Sequence, residues 1–290
     1  MSGPTNPLVS KAELAGTLRQ LRTAAGRTLD DAAEVLEVSA ATISRIETGS
    51  RIPRARDVRE LCRYYGVDDP DRVEELAALV ADARATAWWE EYDVINDDYA
   101  AFIGYEEAAG RIEQFENTTI PALLQTRAYA HHYFADVVWL YLKGTPSKKQ
   151  NDERIKVREL RWAHLVARAP EIEYSVILDE AALHRVVGGA DVMREQVARL
   201  VEVAQEPWLS LYILPLDKGV VAGPAGPFTA LTLPQEQVTD VLYFDTLRGQ
   251  EFLRRAGQLE LHKRVLSHVR SAALDPSDSV QFLRAMMRRN

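Results

Sequence analysis

The chain predicts a mainly α protein with an α+β C-terminal part: a five-helix N-terminal domain containing a helix-turn-helix, followed by a larger helical and small-sheet domain. Three observations carry this. Apolar residues recur at helical spacing, between caps and glycine stops, from Lys11 to Ala87. At Trp88 the composition turns aromatic and acidic, as in WWEEYDVINDDYAAF, with no loop rich in Gly or Ser before it. Late in the chain LSLYILP, PFTALTL and TDVLYFD read as strands broken by Pro and Gly turns.

With 290 residues, 47% hydrophobic and 27% charged, the chain is long enough for two cores and too apolar for broad disorder. The opening MSGPTNPLVSKAELAG has no basic flank and apolar h-region, and no apolar run is long enough to span a bilayer. The expectation is a soluble cytoplasmic protein without membrane contact. The lone Cys62 excludes an intramolecular disulfide, and its place in VRELCRYY suits a packed thiol. The net charge of −8 hides an asymmetry. Residues 1–66 carry ten Lys/Arg against eight acids, and six of those cations lie between Arg45 and Arg63. A small basic module on an acidic body follows.

In KAELAGTLRQLRTAA, Leu14, Leu18, Leu21 and Ala25 mark helix one, stopped by Gly26. Residues 1–10 are left as a flexible arm. Thr28 caps LDDAAEVLEV, with Asp30 and Asp31 in the first turn where the helix dipole favours negative charge. Ser39 caps AATISRIET, which Gly49 ends. A turn of three or four residues between helices two and three forces a steep crossing, the helix-turn-helix arrangement. On helix three Ile43 and Ile46 face inward, Ala41, Ser44, Arg45 and Thr48 face outward, and Thr42 lies on a flank. Pro53 bars continuation through the basic loop SRIPRAR. Helix four carries Val58, Leu61, Cys62 and Tyr65, and helix five runs from about Pro70 to Ala87 on Val73, Leu76, Ala77 and Val80. The domains are therefore set at 11–87 and 88–290.

From Thr17 to Val67 the chain resembles the Xre-type, lambda-repressor-like (Cro-like) helix-turn-helix regulators. The marks are the Thr28 cap, the VS before helix three, the ISRIE core and the Pro after the loop. The resemblance implies double-stranded DNA as partner, with Ala40, Ala41, Thr42 and Arg45 at the bases and an ion pair between Arg22 and Glu47. At the position of helix two where the family often has Gln, this chain has Leu29. Chemistry says what these groups can do. Arg45 can bond guanine O6 and N7 together, worth about 1–3 kcal/mol of discrimination, and a Thr42 or Ala41 methyl can touch thymine. The Thr28 and Ser39 hydroxyls, the two helix N-termini, Ser44, Arg51, Arg54 and Arg56 suit phosphates. A charged loop on a small bundle used for protein contacts is the competing reading.

Beyond Trp88, Tyr92, Ile95, Tyr99 and Phe102 are spaced for a helix, RIEQFE for a short strand, and Thr126 caps RAYAHHYFADVVWL. KQNDERIKVRELRWAHLVAR, DEAALHRVV and DVMREQVARLVEVAQ follow as helices, IEYSVIL as a strand, and the tail from Gln258 as helix. IPALLQTRAYA (with Ala122 where the family usually has Gly), LDEAALHRVVGG, MREQVARL, LYILPL and GPFTALTL resemble the C-terminal domain of an actinobacterial family of such regulators, antitoxin-like and of unknown function. That resemblance implies repression and binding of a small partner protein. A homodimer is expected because one module with few base contacts needs two half-sites.

No enzyme is expected. His131 and His132 diverge on a helix, His262 and His268 are six apart, and Asp97, Asp98 and Asp68, Asp69, Asp71 suit caps and solvated faces. GVVAGPAGPF lacks the P-loop lysine and the GxGxxG spacing. Neither cofactor nor metal is therefore expected. The alternative is a small-molecule-sensing transcriptional regulator whose C-terminal pocket is lined by Trp88, Trp89, Tyr92, Trp139, Tyr141 and Trp162.

Overall fold

A computed structural model of the protein describes residues 6–136, 145–221, 225–246 and 249–289. The chain forms two compact units, Met1–Glu91 with Leu233–Thr239, and Tyr92–Thr232 with Asp240–Asn290. The helical N-terminal region with its helix-turn-helix and the C-terminal combination of helices and sheet are as the sequence predicts. The sheet is larger than expected.

The first unit contains α1 (Pro7–Ala24), α2 (Leu29–Val35), α3 (Ala40–Glu47), α4 (Ala55–Tyr64) and α5 (Pro70–Ala83). Helix α1 begins four residues before the expected start, so the end of the supposed arm is helical. Asn6 accepts a bond from the Val9 amide at 3.2 Å, and Pro7 sits at the first helical position, where its missing N–H costs nothing. Helix α2 opens on a reciprocal cap: the Thr28 hydroxyl accepts from Asp31 N at 3.1 Å, and the Asp31 carboxylate accepts from Thr28 N at 2.8 Å. The five helices close on Leu14, Leu18, Ile43, Ile46, Leu61 and Leu76, all nearly or wholly buried. Burial of each side chain of this kind contributes about 1.5–3 kcal/mol.

The turn from α2 into α3 has a specific geometry. Val38 N donates to Ala33 O at 2.9 Å and Glu37 N to Glu34 O at 3.2 Å, the paired bonds of a left-handed helix stop. Gly26 provides the same stop after α1 at φ +66°, whereas here Glu37 occupies it at φ +53°. A side chain there carries a steric cost that glycine would not.

The second unit is a six-stranded mixed sheet between helices: β1 (Arg111–Glu116), β2 (Glu173–Asp179), β3 (Leu209–Leu214), β4 (Phe228–Thr232), β5 (Val241–Thr246) and β6 (Gly249–Leu253), in the order β3-β2-β1-β4-β5-β6. The chain pairs β1, β2 and β3 in parallel through helical crossovers, then returns to the far side of β1 to add three antiparallel pairings. The remaining helices are α6 (Asp97–Ala108), α7 (Arg127–Asp136), α8 (Lys148–Ala167), α9 (Glu180–His184), α10 (Ala190–Val203), α11 (Ala256–Ala272) and α12 (Pro276–Arg289). Tyr92 and Ile95, expected within a helix, precede α6 because the Asn96 side chain caps it by accepting from Tyr99 N at 2.8 Å. The expected continuation of α7 through Val137–Leu140 lies outside the described residues.

Leu259, Leu266 and Val269 of α11 cover the sheet face that presents Phe115, Ile177 and Phe228. On the opposite face Phe102 of α6 stacks on Tyr243, ring centres 3.9 Å apart. Between α6 and α8 the buried Arg161 donates twice to the buried Glu106, at 2.7 and 2.6 Å, and once to the Tyr99 hydroxyl at 2.6 Å. Strand β3 ends the sheet, and the tail satisfies part of its open edge: Leu274 N donates to Ile213 O at 2.8 Å, and Ile213 N donates to the Ser279 hydroxyl at 2.9 Å.

Candidate nucleic-acid interface

Helix α3 is placed by two devices. Ser39 caps it, accepting from Thr42 N at 3.3 Å, and Glu47 anchors its last turn. The Glu47 carboxylate takes Arg22 Nε at 2.6 Å and Nη2 at 2.9 Å, while Arg22 Nη1 donates to Arg27 O at 2.7 Å. One arginine thus ties α1, the chain entering α2 and the end of α3. This is the ion pair implied by the resemblance, and it is a structural element of the unit. The Tyr65 hydroxyl is buried with no hydrogen-bond partner among the described residues. Burial, with the Glu47 carboxylate nearby, pushes its phenol well above the usual range.

The expected base-contact residues sit differently from one another. Ala41 and Arg45 are exposed, Ala40 is half-buried against the core, and Thr42 is buried at 6% exposure. Thr42 lies four residues before Ile46 and so shares its inward side, rather than the flank read from a helical wheel. Its hydroxyl is 3.1 Å from Ser39 Oγ and accepts from Arg45 Nη2 at 3.3 Å. The Ser39, Thr42 and Arg45 side chains therefore form a short chain ending in an exposed guanidinium.

Of the expected phosphate contacts, Thr28, Ser39, Arg51 and Arg54 are exposed and Ser44 is half-buried. Among the described residues no carboxylate pairs with Arg45, Arg51 or Arg54, whereas Arg56 meets Asp57 at 3.2 Å. The exposed Arg59 is likewise neutralised by Glu74, at 2.7 Å through both arms. The basic run thus divides into cations already paired and cations open to an external anion. Arg84 had no mark in the sequence. It donates to Pro53 O at 2.9 Å and fixes the middle of the basic loop from 31 residues away.

The described aromatics expected to line one pocket are divided between the two units. Trp88 and Trp89 belong to the first unit, Trp162 packs on Trp208 in the second at 5.5 Å, and Trp139 and Tyr141 lie outside the described residues. His131 and His132 stand ring edge to ring face, 5.7 Å apart. Among the described residues no group of three or more His, Cys, Asp or Glu is placed to hold a metal ion, and no helix is long and apolar enough to cross a membrane.

Two capped helices, a tight crossing turn and an outward guanidinium define a helix-turn-helix domain, and residues 13–76 match the family described as helix-turn-helix domain. That match supports a DNA-binding regulator. Residues 99–285 match the family described as domain of unknown function (DUF5753), and the chain belongs to that family. Comparison with curated proteins and with solved structures finds no match.

Proposed function

We propose that the protein is a cytoplasmic, sequence-specific transcriptional repressor of the Xre type, acting as a homodimer on double-stranded DNA. Residues 11–87 bind DNA, and 88–290 provide dimerisation and capture of a small partner protein in the antitoxin-like manner. One observation carries the DNA reading: Arg45 projects from the exposed face of α3, braced by Thr42 and paired with no carboxylate among the described residues. In the major groove such a guanidinium reads guanine bidentately. Ala41 supplies a methyl for thymine, Ala40 packs close beneath, and Thr42 acts chiefly by orienting Arg45. The Thr28, Ser39 and Ser44 hydroxyls with Arg51 and Arg54 hold phosphates on either side, and Arg56 joins them by exchanging its bond to Asp57 for a phosphate.

Selection of bound sequences with the full-length protein, followed by anisotropy titration over a salt series, tests this. Arg45→Ala is expected to cost about 1–3 kcal/mol on the selected site and to flatten preference at one base pair. Arg54→Ala should weaken all duplexes alike and lower the salt slope by about 1. Salt-independent binding, or an unchanged site preference after Arg45→Ala, would refute the assignment. Sedimentation reporting a monomer both free and on its operator would refute the dimer, and copurification without a stoichiometric small protein would refute the partner.

A further inference from the structure

The second unit contains a cleft of about 320 Å³ walled by α8, α10 and the segment entering α7. Its α8 wall consists of Ile155, Arg158, Glu159 and Trp162, which the i, i+3, i+4, i+7 spacing sets on one helix face. The stretches IPALLQTRAYA and MREQVARL supply the other two walls, and neither is used by the DNA reading.

The walls are held from behind. Gln196, fully buried, accepts from Thr126 N and donates to Leu124 O, both at 2.8 Å, and so ties the segment before α7 to α10. Gln125 donates to Ile120 O at 2.8 Å. This leaves its side-chain oxygen to accept a hydrogen bond from Arg158. A site braced in this way loses little freedom when a ligand enters.

The cations lining the cleft are not equivalent. Arg127 is paired with Glu159 at 2.6 Å. Arg199 is paired with Glu202 at 3.0 Å and lies 4.9 Å from the centre of the Trp162 ring. Arg158 is half-buried, with its guanidinium 4.2 Å from the Phe134 ring centre and 5.3 Å from that of Tyr133, and among the described residues it has no carboxylate within ion-pair distance. Gln125 occupies one of its five N–H donors. A cation withdrawn from water is costly unless an anion compensates, and one carboxamide with two aromatic faces offsets only part of that.

We propose that this cleft binds a small monovalent organic acid, its carboxylate on Arg158 and its aromatic or aliphatic body against Ile155, Leu123 and the Trp162 indole. The size suits this class, since about 320 Å³ lies at the small end of the roughly 300–1,000 Å³ spanned by pockets for small organic ligands. The pairing of the cations limits the ligand to one anionic group: Arg127 and Arg199 are held by Glu159 and Glu202, and of the three lining arginines Arg158 alone has no carboxylate within ion-pair distance among the described residues, Asp245 acting on it only from farther off. The site stands whether or not the first unit binds DNA.

Titration of the full-length protein by calorimetry with phenylacetate, and with phenylacetamide as its neutral isostere, tests the proposal. Phenylacetate should bind saturably at one site per chain, and the amide about tenfold or more weaker. Arg158→Gln should erase that difference, and Ala122→Phe at the half-buried rim should block both ligands by volume while leaving Arg158 in place. Equal affinity for acid and amide, acid binding unaffected by either substitution in protein with unchanged circular dichroism, or no saturable binding at about 10 mM would overturn it. Tighter binding of acetyl-Gly-Phe than of phenylacetate would assign the cleft to a peptide C-terminus and would likewise overturn it. Should Arg158→Gln fail to fold, the acid-to-amide ratio in the unaltered protein and the Ala122→Phe variant decide the matter.

Discussion

Removing either member of the Arg22 and Glu47 pair should loosen the whole DNA-reading surface. The Glu47 side chain is 5% exposed and that of Arg22 15%, so loss of either strands a charge in a dry environment. Breaking such a buried pair costs about 3–5 kcal/mol. Glu47→Ala belongs near 3, because water still reaches Arg22 and the bond from Arg22 to the Arg27 carbonyl survives. Arg22→Ala belongs near 4, because it strands the better buried carboxylate and also frees that carbonyl. The double variant Arg22→Met, Glu47→Leu removes both charges and keeps the volume, so it should lie within about 1–2 kcal/mol of the starting protein. With Arg22→Met and Glu47→Leu made as the matching single variants, the coupling from the cycle should then exceed about 2 kcal/mol. Two units in one chain make a single two-state unfolding curve unsafe, so the assay is native-state hydrogen exchange at α1 and α3 amides in the full-length protein. Costs that add to within about 0.5 kcal/mol would refute the reasoning, since independent sites behave that way.

Glu37→Gly should stabilise the first unit by about 0.5–1 kcal/mol, because the residue stands at φ +53° where glycine carries no Cβ penalty; loss of exchange protection in α2 and α3 would oppose this. Tyr65→Phe should be neutral or slightly stabilising in the same exchange measurement, because it deletes a buried hydroxyl without a partner. Glu116 should make the second unit less stable as pH rises. Burial, with the Asp245 charge adding, lifts its carboxyl from 4.5 to about 7, so between those values the folded protein keeps a proton the unfolded chain has lost. Stability should therefore fall by about 1–3 kcal/mol across that window. Glu116→Gln should remove the slope, and hydrogen-exchange stability of the β1 and β2 amides, corrected for intrinsic rates, that does not change across that window would count against the account.

The first unit was legible because its signals are local. Thr28, Ser39, Gly26 and Gly49 act within four or five residues of themselves, and the Ile43 and Ile46 spacing needs nothing remote. The early start of α1 was missed where a single capping residue, Asn6, recruits Pro7 into the helix. In the second unit the helices and the strands β1–β5 were legible as runs. Strand β6 was not, because GQEFL has neither alternation nor β-branched residues and owes its state to pairing with β5. The order of the strands was equally hidden, since no local feature says that the fourth strand returns to the far side of the first.

The candidate site divides along the same line. By itself the sequence determined that α3 exists, where it is capped, which face carries Ile43 and Ile46, and that cations cluster after it. The tertiary structure decided which of those cations are free, by bringing Glu74 to Arg59 while leaving Arg45, Arg51 and Arg54 without carboxylates among the described residues. It also turned Thr42 inward to brace Arg45 and set Arg158 in a cleft with two aromatic rings and a carboxamide for neighbours. The physical reason is range. Capping and periodicity are settled within one helical turn, whereas the charge and solvent around a side chain depend on what remote elements pack against it.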